Sequence, residues 1–183
     1  MTTEAIEQLK YPVGKFTKPT PITPSHLQHW TDTIGAFPEA VATLTRSLSQ
    51  QELNWTYRPG GWTIKQVVHH CADSHMNSMM RFKLALTEES PSIRPYHEDR
   101  WAELPDSLDD DISNALDLLK GLHGKWVKLI SALSDADLQK TYVHPEHGKS
   151  FTLAETIGTY DWHCRHHLAH IQLALDHQGR FDF

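Results

Sequence analysis

His163 and His167 stand four residues apart in the run Trp162-His163-Cys164-Arg165-His166-His167-Leu168-Ala169-His170. On a helix that spacing puts both imidazoles on one face, one turn apart, which is how a helix offers two nitrogen ligands to one metal ion. A third histidine is available far upstream, in Val67-Val68-His69-His70-Cys71-Ala72-Asp73. Two histidines from one helix and one from another make a three-nitrogen site with an open coordination position. That is the arrangement of catalytic rather than structural metals.

Spacing by itself is weak evidence. With 14 histidines in the chain, roughly one His-x-x-x-His pair arises by accident. Placement relative to the apolar seams strengthens the reading. His163, His167 and His170 form one stripe beside a seam, and Tyr160 extends it. His70, Asp73, Asn77 and Arg81 fall at i, i+3, i+7 and i+11, a second polar stripe at the edge of another seam. Two such stripes can face each other across a bundle interior, where helical bundles build metal sites. Periodicity leaves His69 and His70 open, since His69 shares a face with Met76 and Met80, and His70 with Asn77 and Arg81. Cys71 and Cys164 each follow one of these histidines, so a helix turns them about 100° away, into the seam, as small core residues. His26, His29, His123, His144, His147 and His177 read as ordinary surface or core groups.

The elements that must position these residues are helical. Residues 1–22 read as an irregular N-terminal arm rich in Pro, Thr and Lys. Thr23-Pro24 opens a first long helix, with Thr as N-cap and Pro in the first turn. Leu27, Trp30, Ile34, Val41 and Leu44 carry it to about residue 48, and Gly35 and Pro38 predict a kink or break within it. After the turn Arg58-Pro59-Gly60-Gly61, the capping-box pair Thr63 and Gln66 starts a second helix. Its seam is Ile64, Val68, Cys71, His75, Phe82 and Leu86, ending near residue 87. A third helix spans about 108–133, through Ile112, Leu116, Leu119, Leu122, Trp126, Leu129 and Leu133, and a short helical piece follows near 134–139. Thr152 and Glu155 form a further capping box that opens the fourth helix. There the seam is Leu153, Ile157, Tyr160, Cys164, Leu168, Ile171 and Leu175, and Gly179 ends the helix. No strand pattern is convincing. The expected fold is all-α, a four-helix bundle in a single domain over 1–183. Its second and third helices are joined by a long connection holding Pro91, Pro95 and Pro105, and connections of that length tend to be functional.

Composition narrows the partners. The 183 residues carry a net charge of −6 and no Lys/Arg block, which argues against nucleic acid. No apolar stretch reaches membrane-spanning length, and the N-terminus lacks a signal-peptide profile. Two cysteines suit reduced thiols and a cytoplasmic location. A small-molecule substrate remains the natural partner. The absence of Glu-x-x-His pairs argues against a di-iron carboxylate bundle, and the absence of His-Glu-x-x-His against a zincin. No Gly-rich phosphate loop or Gly-x-Ser-x-Gly elbow is present.

The residues also carry a family resemblance. Gly60-Gly61-Trp62-Thr63 and His69-His70-Cys71-Ala72-Asp73-Ser74-His75-Met76-Asn77-Ser78 resemble the DinB-like superfamily. More narrowly they resemble its YfiT subgroup of metal-dependent hydrolases and bacillithiol S-transferases. Arg81 to Glu88, Ile93-Arg94-Pro95-Tyr96, Trp101-Ala102-Glu103-Leu104, His144-Pro145-Glu146 and the run from Trp162 to His170 are similar to that subgroup as well. The likeness extends from about Tyr11 onward. It implies a four-helix bundle, a homodimer, and a divalent ion (zinc or nickel) held by His70, His163 and His167. It thereby favours His70 over His69. Cys71 departs from the subgroup, which usually has an aliphatic residue there.

The resemblance favours transfer of a low-molecular-weight thiol to an electrophile as the activity, with metal-dependent hydrolysis of an amide or ester as the alternative. A non-catalytic metal- or thiol-binding stress protein is a further one. Three neutral imidazoles leave the ion's charge undiminished at the open position, where a water or a thiol becomes acidic. Arg81, Asn77, Arg94 and Arg100 are the groups expected to grip carboxylates of the thiol or substrate. Tyr160 and His170 are expected to orient ligands or donate protons, and Asp73 and Asp161 are weaker candidates for the same task.

Overall fold

The computed structural model describes residues 3–181. Four long helices dominate it: α2 (Pro24–Thr45), α4 (Ile64–Thr87), α6 (Ser113–Ile130) and α8 (Leu153–His177). Helix α2 packs against α6 and α8, and α4 packs against the same two. The order around the bundle is therefore α2, α6, α4, α8, with α2 and α4 across a diagonal. Shorter helices are α1 (Thr3–Lys10), α3 (Gln50–Leu53), α5 (Glu98–Trp101) and α7 (Asp135–Leu138).

The helices begin where the side chains dictate. The Thr63 hydroxyl accepts from the Gln66 amide, and Gln66 Oε1 accepts in return from the Thr63 amide at 3.0 Å. That is the full reciprocal cap read from the sequence. The corresponding cap on α8 is half made. Thr152 accepts from the Glu155 amide at 3.1 Å, but the Glu155 carboxylate turns to Lys18 instead. Helix α8 ends through Gln178 and Gly179, both at positive φ (51° and 67°), a conformation glycine adopts without steric cost.

Four expectations need correction. The N-terminal arm is not irregular throughout, because α1 forms within it. Its eight residues are too few to show a clear apolar period. Helix α2 is not broken at Gly35 or Pro38. It runs unbroken through both, because Ile34, Phe37 and Val41 lock it into the core. Strands are also present: β1 (Thr141–His144) and β2 (Lys149–Thr152) pair antiparallel, Tyr142 opposite Phe151, around a turn containing Gly148 at φ 58°. Each strand is only four residues long, which gives no alternation to detect. The hairpin anchors the long connection, since Ile93 donates to the Val143 carbonyl and Val143 to that of Pro91. The third helix starts at Ser113, not near 108, after an Asp-rich turn in which Asp109 and Asp111 accept backbone amides.

The core holds Ile34, Phe37, Val41, Phe82, Leu119, Trp126, Leu153, Ile157 and Ile171, all essentially inaccessible. Burying each such side chain is worth roughly 1.5–3 kcal/mol against leaving it exposed. Cys71 and Cys164 are buried free thiols in the same core. Among the described residues no helix is long and apolar enough to cross a membrane.

Candidate metal centre

Helix α4 contributes His70 and α8 contributes His163 and His167. Cys71 and Cys164 are each fixed in the core, so the preceding residue on each helix is rotated to the edge of the apolar seam, where the two helices face each other. The ligand-type nitrogens of the three histidines all lie within 4.8 Å of one another. His70 Nε2 and His163 Nε2 are 3.3 Å apart. Two nitrogens bound to a tetrahedral zinc at about 2.0–2.1 Å would stand about 3.3–3.4 Å apart, so this spacing fits an ion between them. His69 takes no part. Its Nε2 donates to the Asp109 carbonyl at 3.3 Å.

Two other groupings of possible ligands occur, Cys71 with His75 and His163, and His166 with His167 and His170. Neither serves a metal as well. The Cys71 thiol is pushed well above its ordinary range by burial, and His75 spends both ring nitrogens on neighbouring histidines. His170 spends one nitrogen on the Lys10 carbonyl and the other on His167.

All three proposed ligands are held neutral. Burial lowers His70 to about 4, with a smaller contribution from the neighbouring charge of His166. Burial also lowers His163 and His167 well below the ordinary imidazole value, and the surrounding histidines add to the effect. Neutral imidazole is the form that binds a metal. Trp62 packs on His70 with ring centroids 4.7 Å apart, Tyr57 stacks on His170 at 3.8 Å, and Trp162 stacks on His166 at 4.4 Å. These rings fix the imidazoles in place and narrow the approach of water.

Two chambers reach the cluster. The first, of about 550 Å³, exposes His70, His163 and His167 beside Lys10, Tyr11, Arg58 and Trp62. The second, of about 540 Å³, is lined by Ser74, Arg81, Tyr96, Tyr142, His144 and Tyr160, and meets the first at His163. Glu98, Asp99 and Trp162 border both. A third cavity alongside brings together Asn77, Arg81 and Arg94 with Tyr96 and Trp101.

Of the residues expected to grip substrate, Arg81 alone faces the histidine cluster's chambers. Asn77 donates to the Asp73 carbonyl at 2.9 Å, and Arg100 is exposed and lines none of these cavities. The Tyr160 hydroxyl donates to the Ser74 carbonyl at 3.1 Å, while its ring lies against His163, centroids 5.3 Å apart. Neither aspartate reaches the cluster. Asp161 accepts from Arg165 at 2.7 Å, and Asp73 is raised to about 6 by burial and by Asp106. Lys10, Tyr11, Tyr57, Arg58, Trp62 and Glu98 were not among the expected site residues, although Trp62 lies in a motif of the family resemblance. They come from the arm, a turn and a connection, where side-chain direction has no period to read.

A helical bundle with converging histidines defines a class, and comparison with known proteins places the chain in it. The family model of the DinB superfamily matches residues 34–171, and the chain belongs to that superfamily. A protein of Bacillus mycoides (strain KBAB4) is 50% identical over 167 residues, covering 91% of this chain and 95% of its own length. One from Bacillus cereus (strain 03BB102) matches equally. Both are provisionally named metal-dependent hydrolases. Among solved structures, YfiT from Bacillus subtilis, described as a probable metal-dependent hydrolase with an unusual four-helix bundle topology, superposes with a TM-score of 0.91. It shares 41% sequence identity, over 95% of this chain and 99% of YfiT.

Proposed function

We propose that the chain is a metal-dependent enzyme in which His70, His163 and His167 hold one divalent ion, zinc or nickel, and in which a low-molecular-weight thiol is transferred to an electrophile. The observation that carries the reading is the convergence of three neutral imidazoles, two buried and one half-buried, without a carboxylate among them, at the meeting point of two chambers. When bound there, a divalent ion supplies Lewis acidity at its open position and lowers the pKa of a water or a thiol.

The protein groups divide the remaining work. Two chambers that share one wall suit two reactants better than one, and this favours transfer over simple hydrolysis. In the transfer, the thiol loses its proton, its sulfur bonds to the electrophilic carbon, and the leaving group departs with its bonding electrons. Arg81 presents a guanidinium to a substrate carboxylate in the second chamber. Glu98 borders both chambers, and desolvation raises its carboxyl above the ordinary range although much of the residue meets solvent. That placement suits it to accept the proton released. Tyr160 and His170 hold the rings of His163 and His167.

Hydrolysis of an amide or ester is the second reading, favoured by the names of the relatives. Metal-loaded protein incubated with an electrophile, with and without a panel of thiols, separates the two. A sulfur-linked adduct by mass spectrometry supports transfer, and hydrolysed product without thiol supports hydrolysis. A protein that binds zinc and turns over neither class is a binding module. The homodimer belongs to the same proposal, and sedimentation equilibrium tests it.

A further inference from the structure

The bundle interior contains two histidines that no metal needs, His75 on α4 and His123 on α6. Both are buried, at 0% and 1% exposure. Their ring nitrogens form one continuous line. It begins at α2, where Pro38 has no N–H, so the Ile34 carbonyl lacks the donor that a helix normally supplies four residues on. His123 Nδ1 fills that position, 2.6 Å from the Ile34 oxygen. His123 Nε2 lies 2.7 Å from His75 Nδ1, and His75 Nε2 lies 3.0 Å from His163 Nδ1.

The direction of this line is forced. A carbonyl oxygen only accepts, so the proton sits on His123 Nδ1. A neutral imidazole has one N–H, which leaves His123 Nε2 as an acceptor and makes His75 Nδ1 the next donor. The same step leaves His75 Nε2 as an acceptor and puts the His163 proton on Nδ1. The titratable groups that act on His75 are His123, His163 and His70, with no carboxylate among them. Buried imidazoles without an anion stay neutral.

We propose that His75 and His123 are positioning residues: their hydrogen-bond line from the Ile34 carbonyl fixes His163 as the Nδ1–H tautomer, leaving its Nε2 lone pair aimed at His70 before any ion arrives. This rests on His163 being a ligand. A second line has the same polarity. His170 Nε2 donates to the Lys10 carbonyl at 3.2 Å, and His167 Nδ1 donates to His170 Nδ1 at 3.3 Å, which bares His167 Nε2. Both proposed α8 ligands, His163 and His167, are thus set by a histidine relay that ends on a main-chain oxygen. An imidazole in the place usually taken by a carboxylate orients the ligand and adds no negative charge to the centre.

The test has two arms. Nitrogen-15 NMR of metal-free protein reads the tautomers directly and requires no variant. His123, His75 and His163 should each give the Nδ1–H signature, and an Nε2–H or averaged signature at His163 overturns the proposal. In the second arm, zinc affinity is measured by chelator competition. His123→Leu, which removes the acceptor for His75, should weaken binding by about 10- to 100-fold. His123→Gln, whose amide can donate to Ile34 and accept from His75, should restore most of it. Equal affinity in the folded Leu and Gln variants overturns the proposal. Loss of zinc in His163→Ala is the separate check on the ligand reading, and the tautomer result does not depend on it.

Discussion

The Nε2 atoms of His70 and His163 approach to 3.3 Å from positions 93 residues apart in the chain. Two lone pairs at that distance repel unless a proton or a cation lies between them. Replacing His163 with Ala removes one of three donors and should abolish stoichiometric metal, measured by elemental analysis after gel filtration. The loss should exceed the roughly 10- to 100-fold penalty of deleting a hydrogen-bond partner of a ligand. Full metal content in the variant would refute three-histidine ligation.

Acid should destabilise the metal-free protein in a defined window. His70, His123 and His166 are lowered to about 4 and His170 to about 3, in each case chiefly by burial. In the unfolded chain these groups bind protons below about 6.5. As pH falls from about 6.5 towards 4, the unfolded state therefore holds more protons than the folded one, and stability falls. Each such group contributes up to about 1.4 kcal/mol per pH unit. Below its folded value a group is protonated in both states and its contribution to the slope ends. Thermal melting between pH 7 and 4 checks this, and a flat melting temperature would contradict it.

Metal should protect against that loss. An ion that binds only the folded state at 1,000 times its dissociation constant adds about 4 kcal/mol. The added melting temperature should vanish in chelator, and should also vanish as the ligands protonate in acid. Identical melting curves with zinc and with chelator at pH 7 would argue against a site formed by folding.

Arg81 tests the second chamber. If it grips a substrate carboxylate without entering the chemistry, Arg81→Met should raise KM with kcat little changed. Steady-state kinetics with carboxylate-bearing and neutral electrophiles discriminates, because only the former should be affected. An equal fall in kcat for both would give Arg81 a different role.

Gly158 lies where α8 meets α2 and the N-terminal arm. A Cβ there would stand 2.9 Å from Trp30 Cη2 and 3.1 Å from Phe16 Cζ. Gly158→Ala would gain about 1 kcal/mol of helix propensity against an overpacking cost of about 1–3 kcal/mol. The rigid indole of Trp30 makes the steric side win, so urea denaturation should show a net loss of about 1 kcal/mol.

The parts of the fold that were legible in sequence were those with long periods and strong punctuation. Helices α4 and α8 had caps, seams and more than 20 residues each, and their polar stripes put His70, His163 and His167 on facing surfaces. His75 and His123 were hidden by the same logic. They occupy apolar-seam or core positions, so their spacing marks them as packing residues, and only the third dimension joins them to His163. Pro38 read as a helix breaker, whereas tertiary packing holds the helix and leaves Ile34 with an oxygen to spare. The aromatic walls Tyr57, Trp62 and Tyr11 come from irregular segments, where no repeat reveals direction.

The relay that ends at the Lys10 carbonyl ties the centre to the last residue of α1. The Gly14 carbonyl is likewise held by the Trp162 indole. Displacing the segment that carries Lys10 and Gly14 would therefore alter the geometry around His167 from outside the bundle.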